Sequence, residues 1–163
     1  MTSLLIVWHS RTGAALAMAK AAQAGAAQET EVEVRSVAAE AAGPEDLLAA
    51  DGYLFACPEN LASMSGEMKA FFDRSYYPVL DRIQGRPYAA MIAAGSDGTG
   101  AARQIARIAL GWRLKAVAEP LIVCTHAQTP QAILAQKRLD EADLARCAEL
   151  GQTLAAGLAL GVF

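Results

Sequence analysis

The sequence predicts an α/β fold: a doubly wound, five-stranded parallel sheet in the order 2-1-3-4-5, with helices on both faces. Three observations lead there. Strand-like runs at 3–8, 31–37, 52–56, 88–94 and 120–124 are each followed by a helix-like segment, the alternation of βα units rather than of hairpins. Four runs are continuously apolar, at 4–7, 53–56, 89–94 and 121–124, as strands covered on both faces are. The other, Glu31-Val32-Glu33-Val34-Arg35, alternates polar and apolar residues, which marks an edge strand and places the first strand inside the sheet.

The helices follow from their apolar spacing. After the first strand comes an alanine-rich segment in which Leu16, Met18 and Ala19 are the residues available for burial, so its packing is the hardest to assign. After the third strand, Met64, Met68, Phe71 and Phe72 share a face, and after the fourth, Ile105, Ile108, Ala109 and Trp112 do. The last helix carries Leu144, Cys147, Gly151, Leu154 and Leu158 on one stripe, with Asp140 placed to cap it.

With 163 residues, 54% of them hydrophobic, the chain has the size and apolar content for one domain, 1–163, with a substantial core. Met1-Thr2-Ser3 lacks the basic start of a secretory signal, and no apolar stretch approaches about 20 residues, so a cytoplasmic protein without a membrane partner is expected. A net charge of -3, with both signs interspersed, gives no nucleic-acid patch. Cys57, Cys124 and Cys147 have neither disulfide nor metal spacing and are expected as reduced, mostly buried thiols. His9 is expected to pack or hydrogen-bond, and His126 has no partners for a metal site. Arg103, Arg107 and Lys115 fit a solvated basic face on the fourth helix. The Gly-x-Ser-x-Gly elbow of a hydrolase is missing.

The proposed strand order brings three loops to one end of the sheet. The first, His9-Ser10-Arg11-Thr12-Gly13, runs from an apolar strand into a helix start. Unpaired amides and the positive end of the helix dipole favour an anion there, with Ser10 and Thr12 as added donors and Gly13 permitting close approach. The second, Cys57 to Met64, contains Pro58 and Asn60, which shape a turn able to present backbone groups, Leu61 and Met64 to a flat heterocycle. It equally suits a helix entry capped by Ser63 or Ser65, with Glu67 in the first turn. The third, Gly95-Ser96-Asp97-Gly98-Thr99-Gly100, reads as a flexible loop able to fold over a ligand; it is neither a Walker loop nor a dinucleotide fingerprint.

Over nearly the whole chain these residues resemble the flavodoxin-like superfamily, in particular its bacterial flavodoxin-family and NADPH-dependent FMN reductase branch. Ser10-Arg11-Thr12-Gly13 resembles the family's phosphate loop. Pro58-Glu59-Asn60 through Ser63-Met64-Ser65-Gly66, with Lys69, Phe71 and Asp73-Arg74, is similar to its flavin-ring loop and helix, and Gly95 to Gly100 to its third loop. The resemblance implies FMN, with the phosphate on Ser10, Arg11, Thr12, Gly13, Ala14 and Ala15. It implies the ring against Pro58, Glu59, Asn60, Leu61, Ala62, Ser63, Met64, Gly95, Ser96, Asp97, Gly98 and Gly100. The chemistry then resides on FMN, with no catalytic side chain and no metal. Alanine at 14 and 15 replaces a polar residue and a threonine common in the family, an expected loss of roughly tenfold to several-hundredfold in affinity that Arg11 offsets in part. Electron-carrier flavodoxins commonly sandwich the ring between aromatic residues, which the second and third loops lack, leaving Leu61, Met64, Tyr76, Tyr77 or a neighbouring subunit as cover. The resemblance therefore implies an NAD(P)H-dependent reductase passing electrons to a quinone, flavin or similar small acceptor, and a homodimer or higher homo-oligomer. The alternatives are a one-electron carrier and a non-redox module with weak FMN affinity.

Overall fold

The computed structural model describes residues 1–163. Its elements are β1 (Thr2–Trp8), α1 (Ala14–Ala26), β2 (Val32–Ala38), α2 (Pro44–Ala49), β3 (Gly52–Asn60), β4 (Ser63–Met64) and α3 (Gly66–Val79). They continue with β5 (Pro87–Ala94), α4 (Thr99–Gly111), β6 (Lys115–Ala116), β7 (Leu121–Cys124), α5 (Pro130–Leu134) and α6 (Glu141–Leu160). The sheet runs β2-β1-β3-β5, and β6 and β7 both pair with the far side of β5. Every one of these ladders is parallel, with Val7 opposite both Val37 and Phe55, Phe55 opposite Ala90, and Ala93 opposite Val123. The predicted order is observed, with the fifth strand in two pieces. β2 is the edge, and its residues after Val32 are only partly buried or exposed.

Side chains alternate across the sheet, so one strand feeds two cores. Leu5, Val7 and Phe55 face α3 and α4, where Phe71, Phe72 and Trp112 are buried. Leu4, Ile6, Leu54 and Met91 face α1 and α6 through Met18, Cys147 and Leu154. The alanine-rich composition of α1 has its explanation here. Ala14, Ala15, Ala19, Ala22 and Ala26 are buried, and a Cβ on Gly25 or Gly151 would collide with the Ala148 or Ala22 carbonyl respectively. Small residues on both helices permit that backbone approach, so α1 is buried by proximity rather than by side-chain bulk.

Polar anchors hold the short pieces. The Arg86 guanidinium donates to the carbonyls of Leu47, Leu48 and Ala50, satisfying the end of the six-residue α2. Asp140 caps α6 through the Asp143 amide at 2.8 Å, as its sequence position predicts. The three cysteines are free, two of them buried. No helix is long and apolar enough to cross a membrane.

Three placements differ from expectation. β3 continues to Asn60 and turns back through Leu61-Ala62 into β4, so Pro58 and Asn60 are extended and the turn lies later. Met64 is on that hairpin, not on the face of α3. Lys115 is on β6, beyond the end of α4.

Candidate functional site

A crevice opens at the carboxyl ends of β1, β3 and β5, beside the point where connections pass to opposite faces of the sheet, the usual ligand position in such folds. Its inner lobe is lined by Ser10, Arg11, Thr12, Ala14 and Ala15 from the first loop and helix, and by Pro58, Glu59 and Asn60 from β3. Ala93, Ala94, Gly95, Thr125, Ala127, Ile133 and Lys137 complete it. A more open outer lobe shares Arg11, Glu59, Asn60, Gly95, Ala127 and Ile133 and adds Leu61, Ala62, Ser96 and Gln128.

Of the helices that begin at this end, α1 follows the first loop and α4 the third, and they differ in what meets their amides. At α4, the Glu59 carboxylate reaches across from β3 to accept the Gly98 and Ala101 N–H groups at 2.9 and 3.0 Å. Asp97 accepts the Thr99 amide and hydroxyl, and the side-chain hydrogen bonds hold its carboxyl below the usual carboxylate range. That helix start is supplied with anions by the protein. At α1, Gly13 takes φ 98 as N-cap, no side-chain cap forms, and the first turn holds no acidic residue. The amides of Ala14, Ala15 and Leu16 have no acceptor within the helix, and Ala14 and Ala15 line the crevice. The Ser10 hydroxyl accepts the Gly13 amide at 3.1 Å, which leaves its own hydrogen to donate. An anion at this end of the sheet is therefore best received at α1, beside the exposed Arg11.

Of the residues expected at the site, Ser10, Arg11, Thr12, Ala14, Ala15, Pro58, Glu59, Asn60, Leu61, Ala62, Gly95 and Ser96 line the two lobes. Gly13 supports the loop as N-cap, under the Gln136 side chain. Ser63 and Met64 are turned away: the Ser63 hydroxyl and Met64 amide bind the Gln104 side-chain oxygen, and Met64 is buried in the core. Gly98 and Gly100 pack under the hairpin, Gly98 through Glu59 and Gly100 against Ala62, while Asp97 is occupied by Thr99. The third loop is consequently a pinned shelf rather than a free flap; Gly95 also accepts the His126 amide at 2.8 Å.

Ser65 occupies the N-cap position of α3 without a side-chain cap; its hydroxyl instead meets His9 Nδ1 at 2.8 Å. His9 Nε2 lies 3.4 Å from Glu67, so the buried imidazole braces the first loop against the start of α3. Beside it, burial pushes the Cys57 thiol up to about 12, which leaves no thiolate at neutral pH. Tyr76 stacks on Trp112 near Gly111, at the opposite end of α3, so neither it nor Tyr77 covers the crevice. No aromatic side chain lines either lobe. Thr125, Ala127, Ile133 and Lys137 are lining residues that the sequence did not reveal, because 125–139 carries no motif beyond a proline-started helical turn.

The sequence matches the model of the family described as NADPH-dependent FMN reductase over residues 26–129, which takes in the second and third loops but not the first. The chain is 33% identical over 100 residues to a protein named flavodoxin from Aquifex aeolicus (strain VF5), an alignment covering 61% of this chain and 54% of that one. It thus spans about half the length of that relative. Solved structures share the fold at lower identity. An archaeal flavodoxin superposes with a TM-score of 0.77 at 19% identity, over 97% of this chain and 99% of that one. The rubredoxin:oxygen oxidoreductase of Desulfovibrio gigas gives 0.80 at 15% identity, over 99% of this chain and 37% of the larger protein. With the family model spanning well over half its length and a flavodoxin-like sheet order, the chain belongs to the NADPH-dependent FMN reductase family.

Proposed function

We propose that this chain binds FMN in the crevice and serves as an NAD(P)H-dependent reductase that passes electrons to a quinone, flavin or similar small acceptor. The observation that carries the reading is the contrast between the two helix starts, one supplied with Glu59 and Asp97, the other presenting uncapped amides to a cleft. The residues fit the group. Ser10, Arg11, Thr12, Ala14 and Ala15 form a donor-rich end for a phosphate, with no acidic residue in the first turn of α1, and Gly13 holds their geometry. Glu59, Asn60, Leu61, Ala62, Gly95 and Ser96 bound a wider lobe for a ring, continuous with the inner one through Arg11, Glu59, Asn60 and Gly95.

FMN, when bound, supplies the hydride and electron chemistry that none of these side chains provides. The chain's own part is to anchor the phosphate, set the ring's orientation through the β3–β4 hairpin and the pinned 95–100 shelf, and leave a face accessible. That last feature favours a small acceptor, since no aromatic side chain of this chain overlies the crevice. We also propose a homodimer, in which a second copy covers the exposed Leu61 and Ile133 at the mouth. A one-electron carrier is the second reading, favoured by the relative named flavodoxin. Titration with FMN, followed by NADH and NADPH oxidation with and without a quinone, tests both. Flavin binding with quinone-stimulated oxidation supports the reductase; flavin binding without oxidation supports the carrier; no flavin binding refutes both.

A further inference from the structure

We propose that Lys137 is a positioning residue for the terminal phosphate monoester of the bound mononucleotide, because it commits the Thr12 hydroxyl to donating toward the anion and fixes a cation beside it. The inference rests on the cofactor reading above and adds to it a residue from outside the three loops.

The connection from α5 to α6 lies over the first loop. The Lys137 amide donates to the Thr12 carbonyl at 2.7 Å, and the Gln136 side chain lies where a Cβ on residue 13 would have to be. The Lys137 ammonium has three N–H donors. They go to the carbonyls of Ile133 and Ala135, at 2.7 and 2.6 Å, and to Thr12 Oγ1 at 3.3 Å. Every donor is used within the protein, so the ammonium is fixed in direction and offers the ligand no N–H of its own. Its effect passes through Thr12 and through its charge.

A hydroxyl has one hydrogen and two lone pairs, and its partners decide which it presents. With Lys137 donating into Thr12 Oγ1, the Thr12 hydrogen is left for whatever enters the inner lobe. Ser10 is set the same way by the Gly13 amide. Both hydroxyls, the first-turn amides and two cations, Arg11 and Lys137, therefore converge on one lobe as donors and positive charge; the lobe's one carboxylate, Glu59, lies on the β3 side with its oxygens on the Gly98 and Ala101 amides. Such a lobe selects a phosphate monoester, carrying about −1.5 to −2 charges near neutral pH, over the neutral hydroxyl that ends riboflavin. Lys137 also compensates for alanine at 14 and 15, where no side-chain donor is available.

The test measures dissociation constants for FMN and for riboflavin in the unaltered chain, Lys137→Met and Lys137→Arg. Lys137→Met is expected to weaken FMN about ten- to hundredfold and leave riboflavin unchanged, and Lys137→Arg to recover most of the loss. Thr12→Val, which removes the hydroxyl alone, is expected to weaken FMN selectively too and serves if Lys137→Met does not fold. The thermal-midpoint shift produced by inorganic phosphate should follow the same order, which covers riboflavin binding too weak to titrate. Equal weakening of both flavins, meaning that the segment merely shapes the pocket, overturns the proposal, as does unaltered FMN affinity in Lys137→Met. Failure of the unaltered chain to bind FMN refutes the cofactor reading itself and is a separate result.

Discussion

Glu59→Gln isolates the contact that shapes one wall of the crevice. The carboxylate accepts two backbone N–H groups at the start of α4, Gly98 at 2.9 Å and Ala101 at 3.0 Å, from a strand about 40 residues earlier in the chain. Hydrogen bonds to a charged group contribute about 1.5–3 kcal/mol each and neutral ones about 1, with a further 0.3–1 for an anion at a helix N-terminus. A glutamine keeps one acceptor oxygen but turns an amide donor toward the other N–H, so one neutral bond replaces two charged ones. Halving the difference for partial solvent access, since Glu59 is incompletely buried, leaves about 2 kcal/mol. For a chain of this size that is about 4–8 °C in thermal midpoint. Urea unfolding should show the midpoint fall with the slope unchanged, because the same surface is exposed. A loss below about 0.5 kcal/mol would mean that water replaces the carboxylate freely and that Glu59 does not organise the shelf.

The close approach of α1 and α6 predicts that Gly151→Ala costs about 1–3 kcal/mol by overpacking, whereas Gly43→Ala, whose added methyl meets nothing, is within about 0.5; differential scanning fluorimetry separates them. Burial raises the Cys57 and Cys147 thiols to about 12 and about 11. An acid whose folded pKa lies above its unfolded one, about 8.5 for a thiol, stabilises fully below the unfolded value and loses that contribution as pH rises to the folded one. Urea midpoints should therefore fall from about pH 9 upward, and Cys57→Ala should make that fall shallower; an equal slope in the variant contradicts the assignment. Leu61 and Ala62 both hold positive φ, 52 and 64, across a two-residue hairpin that ordinarily takes Asn-Gly. Leu61→Asn with Ala62→Gly should stabilise the chain by about 1–2 kcal/mol in chemical unfolding, and no gain would show that the turn is not of this kind.

That hairpin also shows what the sequence conceals. The period-2 pattern of β2 and the apolar runs of the inner strands express burial on one or both faces, a property of the strand itself, so the sheet order is legible from them. Leu61-Ala62 is poor turn chemistry, and nothing in Cys57 to Met64 signals that β3 continues and folds back. Ser63 and Met64, which the resemblance puts against the ring, are turned by the reversed strand onto Gln104 and into the core.

The first loop is legible for the opposite reason. A strand-to-helix turn is built from consecutive residues, so the uncapped helix start at Ser10 to Ala15 can be read as a string. Glu59, Gln136 and Lys137 have no such local signature. Each earns its role from a residue distant in the chain: Glu59 from Gly98 and Ala101, Gln136 from Gly13, Lys137 from Thr12. Those same residues set the charge around the crevice: the Glu59 carboxylate meets the α4 amides and the Lys137 ammonium sits on Thr12 before α1. The backbone of a helix start is thus written locally, while what distinguishes the α1 start from the α4 start is set by side chains that arrive from elsewhere in the fold.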